Sequence, residues 1–105
     1  MNREIKFRSW AETKMHYFDL SDTIAPSLED KVMQFTGLKD NNGIDIYEGD
    51  ILNTGLGRKK TVEYYKDGFW LNGGTEGAEW TLRQFNSSSE VIGNIYENPE
   101  LKTEL

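Results

Sequence analysis

Met33-Gln-Phe-Thr-Gly-Leu-Lys-Asp-Asn-Asn-Gly-Ile-Asp-Ile-Tyr-Glu-Gly-Asp-Ile-Leu52 holds two turn signals set among apolar residues. Asp40-Asn41-Asn42-Gly43 is the first and Glu48-Gly49-Asp50 the second. Asn and Gly accept positive φ at low steric cost, so each signal marks a place where a strand reverses or bends. Between them the chain alternates: Ile44 and Ile46 are expected on one face, Asp45 on the other. Two-residue periodicity with reversals this close together reads as antiparallel β-structure.

The same pattern extends outward. Upstream, Ile5 and Phe7 alternate with Lys6 and Arg8, and Met15-His16-Tyr17-Phe18 reads as the returning strand of a first hairpin. Residues 19–31 are irregular: Pro26 blocks a ladder position, and Ser27 could cap a single helical turn. Val32-Met33-Gln34-Phe35 reads as a strand. Downstream, residues 59–65 are β-branched and aromatic, and Lys66-Asp67-Gly68 turns them back into Phe69-Trp70-Leu71. Residues 79–85 suit a strand or a short helical turn. Glu90 to Tyr96 reads as a strand with a bulge at Gly93. Asn98-Pro99-Glu100 is a helix-start signature. The expected fold is mainly β: one domain spanning residues 1–105, a small antiparallel sheet or SH3-like barrel with hairpins and a short C-terminal helix. The alternative is α+β, with helices at 27–33 and 79–86.

A chain of 105 residues fits one domain and one core. Three Trp, five Phe and five Tyr suggest a core rich in aromatics. With no cysteine, disulfides, thiolate metal sites and thiol nucleophiles are excluded. The opening residues lack the apolar run of a signal peptide, and no window reads as a membrane span, so a cytoplasmic protein is expected. The net charge of −6 opposes broad binding to a phosphate backbone but leaves room for a local basic face.

No residue set forms a catalytic or cofactor motif. Asp40 to Asp45 fails the spacing of a calcium loop and is read as a hairpin turn. Asp45, Glu48 and Asp50 could serve a small hydrolase only if they converged on one cleft; turns commonly carry acids for solubility, and Asp50 instead suits a role accepting backbone N–H groups across its bend. His16, the sole histidine, lacks partners at ligand spacing and is expected on a sheet surface or packed. Gly73-Gly74-Thr75-Glu76-Gly77 lacks the ending of a phosphate loop. Arg58, Lys59 and Lys60, with Trp70, are the candidate interaction surface; Tyr64 and Tyr65 lie near in sequence, and stacking plus charge would suit single-stranded nucleic acid. That reading requires Arg3, Lys6, Arg8 and residues 58–60 to form one positive face.

Three blocks together resemble one family. Arg3-Glu4-Ile5-Lys6-Phe7-Arg8-Ser9-Trp10 opens the chain; Met33-Gln34-Phe35-Thr36-Gly37-Leu38-Lys39-Asp40, Asn42-Gly43 and Ile46-Tyr47-Glu48-Gly49-Asp50-Ile51 follow; Val91-Ile92-Gly93-Asn94-Ile95-Tyr96-Glu97-Asn98-Pro99-Glu100-Leu101 ends it. In this order they resemble the YopX family, small proteins encoded mainly by bacteriophages and prophages. The resemblance implies a phage-encoded, cytoplasmic, β-rich protein that self-associates, and it transfers no catalytic or binding residue. The expected function is that of a non-enzymatic accessory or regulatory protein, a homo-oligomer that binds a host or phage protein. No cofactor and no membrane association is expected. A nucleic-acid-binding β module is the alternative, and a small hydrolase the third reading.

Overall fold

A computed structural model of the chain describes residues 5–11, 13–19, 31–54, 59–65, 68–72 and 80–102. The chain is mainly β, in two antiparallel sheets. The first contains β1 (Lys6–Ala11), β2 (Lys14–Asp19), β3 (Lys31–Lys39) and β4 (Asp45–Tyr47), in the order β2-β1-β3-β4. The second contains β5 (Asp50–Asn53), β6 (Lys59–Tyr65), β7 (Gly68–Asn72), β8 (Trp80–Thr81) and β9 (Glu90–Asn94), in the order β8-β7-β6-β5-β9. Among the described residues, two single-turn α-helices, α1 (Leu82–Phe85) and α2 (Pro99–Lys102), and a 3-10 turn at Asn86–Ser88 complete it. Among the described residues both sheets stay open, so the barrel closure suggested by the SH3-like pattern is not formed.

The first hairpin pairs Lys6 with Asp19 through to Ala11 with Lys14. The second turn signal carries the chain from one sheet into the other. Gly49 takes φ +89°, a conformation that L side chains rarely adopt. Its N–H donates to Val62 O at 2.8 Å, its carbonyl accepts from Ile95 N–H at 3.0 Å, and Glu48 N–H donates to Gln34 O at 2.9 Å. One bend thereby ties β3, β6 and the turn after β9 together.

Asp40 organises the first turn. Its Oδ1 accepts from the N–H groups of Asn42 and Ile44, and its Oδ2 accepts from Val91 N–H at 2.9 Å, which anchors the turn to β9. The expected bulge in β9 is present: Gly93 faces Ile51 and Val91 faces Leu52, so Ile92 is the extra residue.

The central core is aliphatic: Ile46, Leu52, Val62, Leu71 and Leu82, with Leu38, Phe69, Phe85 and Val91 packed around it. This departs from the expected aromatic-rich core. Phe35 and Tyr47 are buried, but Tyr17 and Tyr64 are exposed, because a small two-sheet fold has more edge and rim than interior for large rings. Ile44 also departs from expectation. Ile46 is fully buried whereas Ile44 is exposed, since Ile44 still belongs to the Asp40 turn and precedes the strand register.

Of the ambiguous segment at 79–85, the described residues 80–85 are both things in succession, a two-residue strand and then a helical turn. A four-residue helix cannot hold itself by propensity. It is held by Leu82, fully buried in the core, and by Gln84 Oε1, which accepts from the Thr81 N–H and hydroxyl. The alternative helix at 27–33 lies largely outside the described residues; its last three positions, Lys31, Val32 and Met33, belong to β3.

Candidate functional site

Two concavities line the junction of the sheets. The first is a seam pocket of about 720 Å³ whose walls come from both sheets. The alternation in β1 puts Lys6 and Arg8 on one face, and that face turns toward β4 and β5. Arg8 is buried, and its Nη2 donates to Asp50 Oδ1 at 2.7 Å and Glu48 O at 3.3 Å. Its guanidinium lies 4.8 Å from the centre of the Tyr47 ring. Arg8 Nε–H is buried with no acceptor among the described residues. A donor in that state costs about 1–3 kcal/mol.

Asp50 Oδ2 accepts the Tyr47 N–H at 2.8 Å, so the carboxylate does hold the bend's backbone as its position in sequence suggested. Burial pushes the Asp50 carboxyl above its ordinary range more strongly than the Arg8 charge and the Tyr47 N–H pull it down. Nearer the mouth, the two oxygens of Asp45 are divided between two lysines: Oδ2 accepts from Lys6 Nζ at 2.6 Å and Oδ1 from Lys39 Nζ at 2.5 Å. Burial raises the Asp45 carboxyl, but Lys39 and Lys6 together outweigh it and hold it below its ordinary value. Lys6 Nζ also sits 4.5 Å above the Phe35 ring. Tyr17, 63% exposed, stands edge-on to Tyr47 with ring centres 5.6 Å apart.

The second concavity is a groove of about 600 Å³ between β3 and the β6–β7 hairpin, with Tyr64, Phe69, Trp70, Arg83 and Gln34 on its walls. Tyr64 is 54% exposed and meets its cross-strand partner Phe69 edge-on, with centroids 5.2 Å apart. Trp70 of the sequence-derived surface lines this groove, half-buried. Its proposed companions do not. Lys59 is half-buried opposite Asn53, Lys60 is buried opposite Leu52 at 4% exposure, and Arg58 lies outside the described residues. Lys60 therefore does not present its ammonium to solvent, and of the described members of the single positive face only Lys6 and Arg8 share a concavity, the seam pocket.

The carboxylates suggested for hydrolysis are engaged. Asp45 bridges two lysines and Asp50 is paired with Arg8. Glu48 lies at the bend, where its Oε1 accepts the Gln34 N–H at 3.3 Å. His16 is exposed on β2, and no group of metal-ligating side chains forms among the described residues. The glycine-rich segment 73–77 lies outside the described residues. Sequence reasoning missed Arg83 and Lys39; nothing in their local sequence marks them, whereas the shared face of Lys6 and Arg8 was legible.

A family profile described as YopX protein matches residues 19–102. The chain belongs to the YopX family. The match excludes the opening block that includes β1, so membership rests on the body from Asp19 onward. Protein EF1440 from Enterococcus faecalis, known from a crystal structure, is similar in fold, with a TM-score of 0.62 and 24% identity over 95% of this chain and 99% of that one. No curated protein matches.

Proposed function

We propose that this YopX protein is a non-enzymatic binding protein of phage or prophage origin. It works in the bacterial cytoplasm as a self-associating accessory or regulatory factor that grips a host or phage protein. The carrying observation is the exposed Tyr64 ring, stacked edge-on against Phe69 in a groove that also holds Trp70 and Arg83. Tyr, Trp and Arg are the residue types that dominate binding energy at protein interfaces. The overall charge of −6 favours a protein partner over an extended phosphate backbone. The absence of an enzymatic role is supported by the engagement of Asp45 and Asp50 in ion pairs. Self-association is supported by β2, which pairs only with β1 among the described strands; an edge of this kind is a template for a further strand.

The same aromatic groove supports a second reading, in which unstacked bases lie on Tyr64 and Trp70 beside Arg83. One experiment separates the two. Tagged wild-type protein and a Tyr64→Ser variant are used to capture partners from host lysate, with and without nuclease. A protein that survives nuclease and is lost with Tyr64→Ser supports the proposal. Capture abolished by nuclease supports the second reading, and capture indifferent to Tyr64→Ser removes the groove from both. Light scattering on the purified protein tests self-association separately, and a monomer at all concentrations refutes it.

A further inference from the structure

The seam pocket differs from the aromatic groove in its chemistry. In a chain of net charge −6 it gathers three cationic side chains, Lys6, Arg8 and Lys39, against two carboxylates, Asp45 and Asp50. A concavity whose charge opposes that of the surrounding protein concentrates ions of the opposite sign. We propose that the seam pocket binds a small aromatic anion, a phosphate or carboxylate attached to a planar ring, of which a nucleoside monophosphate is the representative.

Three observations support this. The first is the arrangement around Asp45. Two ammonium groups from different strands, Lys6 of β1 and Lys39 of β3, converge on one carboxylate, one on each oxygen. That is the arrangement an incoming oxyanion needs, and Asp45 is an internal ligand occupying it. The second is access. The Lys39 and Lys6 side chains keep 59% and 24% of their surface, whereas those of Arg8 and Asp50 keep 5% and 2%. A ligand therefore meets the two lysines, while Arg8 stays paired with Asp50 in the pocket wall, its Nε–H without an acceptor among the described residues. The third is the ring surface. Tyr17 is exposed at the pocket and is braced by Tyr47, so a planar ring has a platform beside the ammonium groups. The volume, about 720 Å³, lies in the range of small-molecule pockets.

The internal competitor gives the proposal an unusual signature: removing the acidic residue strengthens binding. Calorimetric titrations use adenosine monophosphate, inorganic phosphate and a single-stranded oligonucleotide without terminal phosphates. They are run at low salt on wild type, Asp45→Asn, Lys39→Met and Tyr17→Ala. The nucleotide is expected to bind more tightly than phosphate. Asp45→Asn is expected to tighten both, by roughly tenfold, and Lys39→Met to weaken both by a similar factor. Tyr17→Ala should lower nucleotide affinity to that of phosphate and leave phosphate unchanged. Lys39 and Tyr17 are exposed, so their variants keep the proposal falsifiable if Asp45→Asn fails to fold. No nucleotide binding to wild type or Asp45→Asn at millimolar concentration overturns it. So does nucleotide binding indifferent to Lys39→Met and Tyr17→Ala, or binding of the oligonucleotide alone.

Discussion

Arg8 and Asp50 form a buried ion pair at 2.7 Å that joins β1 of one sheet to β5 of the other, across 42 positions of sequence. Neither side chain has water to fall back on, and Asp50 holds the Tyr47 N–H as well. Breaking such a pair leaves a buried charge without a partner. Arg8→Met is therefore expected to cost about 3–5 kcal/mol in urea unfolding. Adding Asp50→Asn to Arg8→Met should recover part of that loss, because the orphaned charge is removed. A strictly additive double variant would show that the two side chains do not act as a unit.

The glycines at Gly43 and Gly49 both take positive φ but differ in surroundings. A Cβ on Gly43 would meet nothing within 4 Å, whereas one on Gly49 would lie 2.9 Å from Met33 Sδ. Met33 is itself buried, so the thioether has little room to move. Gly43→Ala should cost about 1–2 kcal/mol from backbone conformation alone. Gly49→Ala should cost that and a further ~1–3 kcal/mol from overpacking. Thermal unfolding of the two variants side by side checks the ranking.

Asp40 supplies three acceptor contacts, to Asn42, Ile44 and Val91. Asp40→Ala leaves those N–H groups without their acceptor and should destabilise the protein by about 1–3 kcal/mol or more. The Val91 amide is the specific reporter, since its partner lies 51 positions away in sequence. Its hydrogen exchange should accelerate in Asp40→Ala beyond what the fall in global stability accounts for.

The two seam carboxylates respond to acid with opposite sign. Asp45 titrates below 3.8 in the folded chain, so its stabilising contribution is complete above 3.8 and is lost as pH falls through the folded value. Asp50 titrates above 3.8, so the folded state takes up that proton first. Its contribution rises as pH falls from the folded value toward 3.8. Carboxyl chemical shifts followed by NMR across the acid range should separate the two titrations on either side of 3.8. Lys39→Met should raise the Asp45 midpoint while leaving Asp50 in place.

Leu82 tests why α1 exists. It is fully buried among Ile46, Leu52, Val62 and Leu71 at the head of a helix too short to persist alone. Leu82→Ala should cost about 2–5 kcal/mol in chemical unfolding. A smaller effect would mean that the helix is held by the Gln84 contacts instead.

Much of the fold was local and therefore legible. Alternation in Lys6 to Ala11 and in β6, the glycine turns and the Asn-Pro-Glu start of α2 each specify backbone conformation from neighbouring residues alone. The bend at Gly49 was readable for the same reason, since only glycine accepts its φ cheaply. The sequence by itself thus determined a mainly β chain with its hairpins, and family membership along with it. What only the tertiary structure decided is which strands meet. Lys6 and Lys39 are far apart in sequence and meet on Asp45 because β1 and β4 flank β3; Arg8 is neutralised because the bend delivers Asp50 beneath it. The same pairing buries Lys60 and leaves Tyr64 in the open, although both lie on one β-strand. Charge and aromaticity are visible residue by residue, but burial depends on the neighbour that packing supplies, and packing is non-local.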